Sequence, residues 1–158
     1  AAALGDHLGA IVLRTDEVRQ RLDHDRRASP ASERYRPDAV AAVYRETLDE
    51  ARRLLGLGEQ VVLDATWADE AERSRARDVA AQTSSDLVEL VCTLPRDQAD
   101  DRIRQRRVAG QDPSEATPAV AAAIAARFAP WPEAVAIPTL SPPADTLAAA
   151  LDALEELA

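Results

Sequence analysis

The sequence of 158 residues predicts an α/β protein with a parallel sheet and helices on both of its faces. Two observations support this fold class. Short, continuous apolar runs alternate along the chain with longer segments of helical periodicity, as in parallel sheets that are buried on both sides. Polar residues directly follow several of those runs, where α/β proteins place their functional sites. With no internal repeat and no long linker, we expect a single domain over residues 1–158.

The first half of the chain contains two of the predicted strands. Residues 1–9 have the pattern of a helix end closed by Gly9, and residues 10–13 form a short apolar strand. A helix capped by Thr15 or Asp16 then runs through Leu22, followed by a polar loop over residues 23–36. Residues 38–55 predict a long helix, because apolar residues recur at helical spacing between Pro37 and Gly56. The second apolar strand covers residues 60–63.

The second half repeats the alternation of strands and helices. An Arg- and Glu-rich helix is expected at residues 69–81, and a strand at 87–94. Helices at 95–108 and 118–128 follow, then a strand at 134–138 and a closing helix at 144–157. Cys92 lies in the apolar run 87–94, and we expect it to be a buried thiol. Trp67 and Trp131 are expected to be packing residues rather than platforms on which a ligand stacks.

Composition restricts the classes of partner. The net charge of -9 argues against nucleic acid or an anionic membrane surface as the general partner. All 19 basic side chains are arginine. The sequence has no secretory leader and no apolar run long enough to span a bilayer, so we expect a cytoplasmic protein without a membrane partner.

Asp16 and Arg19 follow the first strand and lie three residues apart, on one face of the predicted helix. A carboxylate in this position suits a general base that takes a hydroxyl proton, and the neighbouring guanidinium suits a substrate anion. The alternative is a helix-capping aspartate in a surface ion pair. Asp64 and Thr66 follow the second strand, where an acid is placed to orient a substrate, a water or a magnesium ion; the alternative is a cap for the next helix.

Four arginines lie between residues 102 and 107, and Arg102 and Arg106 are one helical turn apart. Such a pair can bind a phosphoryl group whose charge is spread over several oxygens. The alternative is a solvated helix face that pairs with nearby aspartates. Gly110 ends the segment and would allow a lid to move, so we expect a lid region at residues 95–117.

Taken together, these segments resemble the acceptor half of P-loop kinases. The segments are Arg14-Thr-Asp-Glu-Val-Arg19, Glu33-Arg-Tyr35, Val61-Val-Leu-Asp-Ala-Thr66, Arg102 to Arg107 and Gly110-Gln-Asp-Pro-Ser-Glu-Ala-Thr117. The chain is similar to the kinase domain of polynucleotide kinase, to zeta-toxin and gluconate-kinase relatives, and most to a bacterial ATP-binding family often fused to an aminoglycoside-phosphotransferase-like domain. The resemblance covers nearly the whole chain.

The resemblance implies a role for each matching residue and a pair of cofactors, ATP and Mg²⁺. Asp16 would be the general base, and Arg14 and Arg19 would bind the acceptor. Asp64 would lie near the acceptor or the water shell of magnesium, with Thr66 beside it. Arg73 matches a family arginine assigned to substrate binding. The lid residues expected to be catalytic are Arg102 and Arg106.

The phosphate-loop motif of these kinases, G-x-x-x-x-G-K-S/T, does not occur in the 158 residues. We therefore expect an N-terminally incomplete domain that lacks the central strand of a sheet ordered 2-3-1-4-5. Its strands at Ile11, Val61, Val88 and Val135 would be the second to the fifth. The absent central strand would leave a gap between the strands at Val61 and Val88. We expect that this gap stays open, that another segment or a second chain supplies a strand to it, or that the strands at Val61 and Val88 pair directly.

The resemblance implies a kinase that phosphorylates a hydroxyl of a small molecule and is inactive as this fragment. Two alternatives stay open. One is an ATP-binding regulatory module that acts on a fused phosphotransferase-like domain without turnover. The other is a truncated structural remnant.

Overall fold

The computed structural model describes residues 1–25, 36–109 and 117–157, apart from the side chains of residues 24–25, 106–109 and 157. The helices are α1 Ala2–Leu8, α2 Thr15–Asp25, α3 Pro37–Leu55, α4 Glu70–Thr83, α5 Arg96–Ala109, α6 Pro118–Ala126 and α7 Pro143–Leu157. The strands are β1 Ile11–Arg14, β2 Val61–Asp64, β3 Leu90–Thr93 and β4 Val135–Pro138. The mixed α/β fold is therefore confirmed. Two boundaries differ noticeably from the prediction: α2 continues to Asp25, and β3 has four residues, since the apolar run 87–94 is only partly strand.

The four described strands form two separate two-stranded parallel sheets. In the first, β1 pairs with β2 from Ile11↔Val61 to Arg14↔Asp64. In the second, β3 pairs with β4 from Leu90↔Val135 to Thr93↔Pro138. In the predicted order 2-3-1-4-5, β1 and β2 would be the second and third strands, and β3 and β4 the fourth and fifth. Both observed pairs are neighbours in that order. Direct pairing of the strand at Val61 with the strand at Val88 does not occur among the described residues.

The chain divides into two compact units. The first unit, Ala1–Trp67 with Ala71–Asp86, contains the sheet β1–β2. Helix α3 provides much of its core, and it packs against α2 and both strands. Most of the apolar stripe predicted for α3 is buried in the structure, and Val40 and Leu55 at its ends are half-buried. The buried residues are Val43, Tyr44, Thr47, Leu48, Ala51 and Leu54.

The second unit, Ala68–Glu70 with Leu87–Ala158, contains the sheet β3–β4. Helix α7 packs on β4, and its Ala150 and Ala153 are buried together with Ile137 of that strand. Trp131 packs beside Phe128 with ring centroids 6.4 Å apart, and its Nε1 donates to the Glu89 carboxylate at 2.8 Å. The predicted packing role of Trp131 is thus confirmed.

The prediction that Cys92 is buried is wrong, because its side chain is exposed. Cys92 pairs in register with Ile137, and β4 is the one strand that pairs with β3 among the described residues. An apolar run predicts a strand whose side chains are buried by neighbouring elements. At Cys92 those elements do not shield the side chain from solvent.

Within the described part of the chain, no helix combines the length and the apolar character needed to cross a membrane.

Two glycines shape the start of the first unit. A Cβ on Gly5 would lie 2.3 Å from Val12 Cγ2 and 3.2 Å from the Ala10 carbonyl oxygen, so the absence of a side chain lets α1 approach β1 closely. Gly9 ends α1 in the left-handed conformation, with φ 65°, and thereby turns the chain into β1. The predicted helix end at Gly9 is confirmed.

We expect Gly5→Ala to lower the free energy of unfolding by about 1–3 kcal/mol, because the new methyl group overpacks the contact between α1 and β1. Val12→Ala removes the clashing methyl group, so the double variant should be more stable than the sum of the two single losses predicts. Urea unfolding of the four proteins measures this. Strictly additive losses, or a neutral Gly5→Ala, would show that the close approach is not a constraint.

Candidate functional site

The last residues of β1 and β2, Arg14 and Asp64, lie opposite each other in the parallel ladder. Arg14 Nε donates to Asp64 Oδ2 at 3.1 Å. The side chains are 30% and 38% exposed, so this pair is accessible to solvent without being fully solvated. Two polar residues that the sequence placed at separate strand ends therefore meet at one edge of the sheet.

Helix α2 begins directly at the end of β1, without a loop. Its first residue, Thr15, is buried, and its Oγ1 donates to the Asp64 carbonyl oxygen at 3.3 Å. The start of α2 is thus bonded to the end of β2. This contact fixes the first turn of the helix, which carries Asp16 and Glu17, relative to the Arg14–Asp64 pair.

Asp16 and Arg19 contact each other through Asp16 Oδ1 and the Arg19 guanidinium. Their side chains are 29% and 16% exposed, so the pair is more buried than a typical surface ion pair. Glu17, one residue further on, is 58% exposed and lies 3.7 Å from the Arg14 guanidinium. The structure brings Asp16 and Arg19 together as the spacing predicted.

The segment directly after β2, residues 65–67, precedes α4 and is called the turn below. Thr66 is exposed, whereas Trp67 is buried and has a φ of 52°, in the left-handed region. The Trp67 N–H donates to the Tyr44 hydroxyl at 3.0 Å, and the two rings meet edge to face with centroids 5.2 Å apart. The predicted packing role of Trp67 is confirmed, while its contact with Tyr44 of α3 was not predicted.

Arg73 lies in the interior of the first unit, with 1% of its surface exposed. Its Nε donates to the Trp67 carbonyl oxygen at 2.7 Å. The resemblance to P-loop kinases assigned this residue to substrate binding, and that role stays a prediction. What the structure adds is a buried guanidinium directed at the turn that follows the candidate site.

In the second unit, the predicted lid arginines are part of α5. Arg102 is exposed, and its guanidinium donates to the Thr139 carbonyl oxygen at 2.6 Å, beyond the end of β4. Arg104 pairs with Asp101 at 2.7 Å, as the solvated-face alternative predicts for this helix. The side chain of Arg106 and residues 110–116 lie outside the described residues, so the lid pair itself stays a prediction.

The role of Asp64 near the acceptor or near the water shell of magnesium stays a prediction. Magnesium in kinase sites keeps several waters and uses one or two carboxylates. Asp64 Oδ2 accepts from Arg14, which leaves Oδ1 to accept a hydrogen bond from a magnesium-bound water. The described residues contain no group of three or more His, Cys, Asp or Glu that could hold a metal ion.

A family model agrees with the resemblance. The model of the AAA_33 family, described as an AAA domain, matches residues 1–131. The match covers the described candidate residues of both units, from Arg14 to Arg102.

The chain is similar to uncharacterized proteins of mycobacteria. It is 42% identical over 147 residues to Rv2004c of Mycobacterium tuberculosis strain H37Rv, and equally to Mb2027c of Mycobacterium bovis. The match covers 90% of this chain but 29% of either relative, so the chain spans less than a third of their length.

Two solved structures have the same fold. One is a gluconokinase from Sinorhizobium meliloti, with a TM-score of 0.66 at 14% identity, covering 99% of this chain and 83% of the other. The second, a provisionally assigned kinase from Chloroflexus aurantiacus, has a TM-score of 0.71 at 15% identity, covering 99% and 88%. The fold is therefore that of the P-loop kinase-like proteins.

Proposed function

Because the chain belongs to the AAA_33 family and has a P-loop kinase-like fold, we propose that it forms the acceptor side of an ATP-dependent phosphotransferase domain. The reaction would transfer the γ-phosphoryl group of ATP to a hydroxyl group of a small molecule. The observation that carries this proposal is the Asp16–Arg19 pair beside the Arg14–Asp64 pair, at the carboxyl ends of two paired parallel strands.

Asp16 has the chemistry of the general base. Its Oδ1 contacts Arg19, which leaves Oδ2 to accept the proton of an acceptor hydroxyl. As that O–H bond breaks, the oxygen forms a bond to the γ-phosphorus and the bond from that phosphorus to ADP breaks. Arg19 would hold Asp16 in orientation and contact the acceptor.

The other candidate residues have binding roles in this proposal. Arg14 and Asp64 can bind the hydroxyl groups of the acceptor, and the Thr66 hydroxyl is exposed beside them. ATP with Mg²⁺ supplies the phosphoryl group when bound. The lid arginines, Arg102 and Arg106, would stabilise the charge that develops on the moving phosphoryl group.

The donor side of the reaction needs groups that these 158 residues do not contain. They include neither the phosphate-loop motif nor any lysine, so we expect them to be inactive by themselves. The same observation favours the alternative of a structural remnant over an ATP-binding regulatory module, because these residues lack the groups that bind the phosphates of ATP. The far greater length of the mycobacterial relatives supports a larger protein, with a phosphotransferase-like domain as the expected partner.

The acceptor is a small hydroxylated compound in this proposal, and a nucleic-acid end is disfavoured by the net charge of -9. A cytoplasmic location, where ATP is available, is part of the same proposal.

Phosphorus NMR tests the function on a protein in which a phosphate-loop segment has been joined to this chain. With Mg-ATP and a panel of sugars, sugar phosphates, nucleotide sugars and aminoglycosides, we expect the γ-phosphate signal to be replaced by ADP and a new phosphomonoester. Binding of ATP without turnover for any acceptor would favour the regulatory module. Absence of ATP binding would favour the structural remnant.

The base is tested in the same protein with Asp16→Asn. We expect transfer to fall by at least about 100-fold with nearly unchanged ATP affinity, because the carboxylate acts on the acceptor hydroxyl alone. Asp38→Asn is the matched control: the same charge is removed from the first turn of α3, at a side chain that is 74% exposed, and turnover should change little. Full activity of Asp16→Asn would eliminate Asp16 as the base.

The lid is tested with Arg102→Ala and Arg106→Ala. Each should lower turnover more than it weakens nucleotide binding, because these contacts strengthen as charge moves in the transition state. Arg104→Ala on the same helix is the control, since Arg104 is solvated and paired with Asp101. A change confined to binding, with normal turnover, would contradict the assignment.

A further inference from the structure

We infer that Arg73 is a positioning residue, which together with Tyr44 fixes the left-handed backbone of Trp67 and thereby the placement of Asp64 and Thr66. The consequence for turnover rests on the proposed function. The consequence for the turn does not, because it follows from contacts within the first unit alone.

The turn at Trp67 is strained. With a φ of 52°, Trp67 adopts a conformation that large side chains seldom occupy. Such conformations persist only where the surrounding structure over-determines them, and they cluster at functional sites. Trp67 follows Thr66 directly, so the strained residue immediately adjoins the candidate acceptor residues.

Two helices hold Trp67 in this conformation. Tyr44 of α3 accepts a hydrogen bond from the Trp67 N–H at 3.0 Å, and Arg73 of α4 donates to the Trp67 carbonyl oxygen at 2.7 Å. Both polar groups of the Trp67 main chain are thus bonded to buried side chains. A charged donor makes the stronger kind of hydrogen bond, and its geometry is well defined by the rigid guanidinium.

The burial of Arg73 favours positioning over direct substrate binding. With 1% of its surface exposed, the residue offers almost no area to a ligand that arrives from solvent. Its Nε is bonded to the Trp67 main chain, so the effect on a substrate that we infer is transmitted through the turn.

The turn and the strand ladder hold the candidate segment at its two ends. Asp64 is fixed by its pairing with Arg14 in the ladder, and Trp67 is fixed by Tyr44 and Arg73. Only Ala65 and Thr66 lie between these anchors. If the anchor at Trp67 loosens, Thr66 gains freedom first, and the Asp64 side chain then loses its support on one side.

Arg73→Met tests this inference against Val79→Ala. Val79 is also buried on α4, so its truncation destabilises the same helix without touching the turn. Hydrogen exchange of the Thr66 and Trp67 amides should be about 10-fold faster in Arg73→Met than in Val79→Ala, compared at equal global stability. In the protein that carries the phosphate loop, acceptor turnover should fall by about 10- to 100-fold in Arg73→Met, with ATP affinity unchanged.

The outcomes separate this inference from the proposed function. Faster exchange in a protein that shows no phosphotransfer even as wild type would support the role of Arg73 in the turn and contradict the kinase proposal. Exchange equal to that of Val79→Ala, or faster exchange with unchanged turnover in an active enzyme, would overturn the positioning role. If Arg73→Met does not fold, Tyr44→Phe removes the opposite bond to Trp67 and is judged by the same two readouts.

Discussion

The in-register pairing of β1 with β2 is the constraint on which the candidate site depends. Arg14 lies opposite Asp64 at the last rung of this ladder, and α2 begins without a loop at the next residue. Because side chains alternate between the faces of a strand, a slip of one residue would direct Asp64 away from Arg14. It would also break the bond between Thr15 and the Asp64 carbonyl oxygen, which orients the first turn of α2. The location of Asp16, in the first turn of α2, therefore depends on the register in which β1 pairs with β2.

The proposed chemistry divides between elements of different character. The acceptor residues of the first unit lie on strand ends and on the first turn of a helix, which are held by ladder pairing and buried side chains. Such rigid supports suit a general base, whose efficiency depends on the position of one oxygen atom. Arg102 lies on an exposed face of α5 and contacts a carbonyl oxygen with its flexible side chain. Such a side chain has to be ordered before it can stabilise the charge that develops on a phosphoryl group.

The sequence predicted the alternation of elements, the buried stripe of α3, the helix end at Gly9 and the meeting of Asp16 with Arg19. All of these depend on local spacing, which periodicity and turn chemistry reveal. It did not predict the turn held by Tyr44 and Arg73, because the contact from residue 44 to residue 67 has no local signature. It was wrong about Cys92, because an apolar run reveals the strand but not what covers it. The exposure of Cys92 depends on which elements surround β3, and that is a property of tertiary structure.

The most direct test of this account is a double-mutant cycle on Arg14 and Asp64, read out as kcat/KM for the acceptor in the protein that carries the phosphate loop. If the two side chains act as one unit at the last rung of the ladder, each single alanine variant should lose activity. The double variant should then lose about as much as the worse single variant. Additive losses, or single variants with wild-type activity, would contradict the claim that this pair organises the acceptor site.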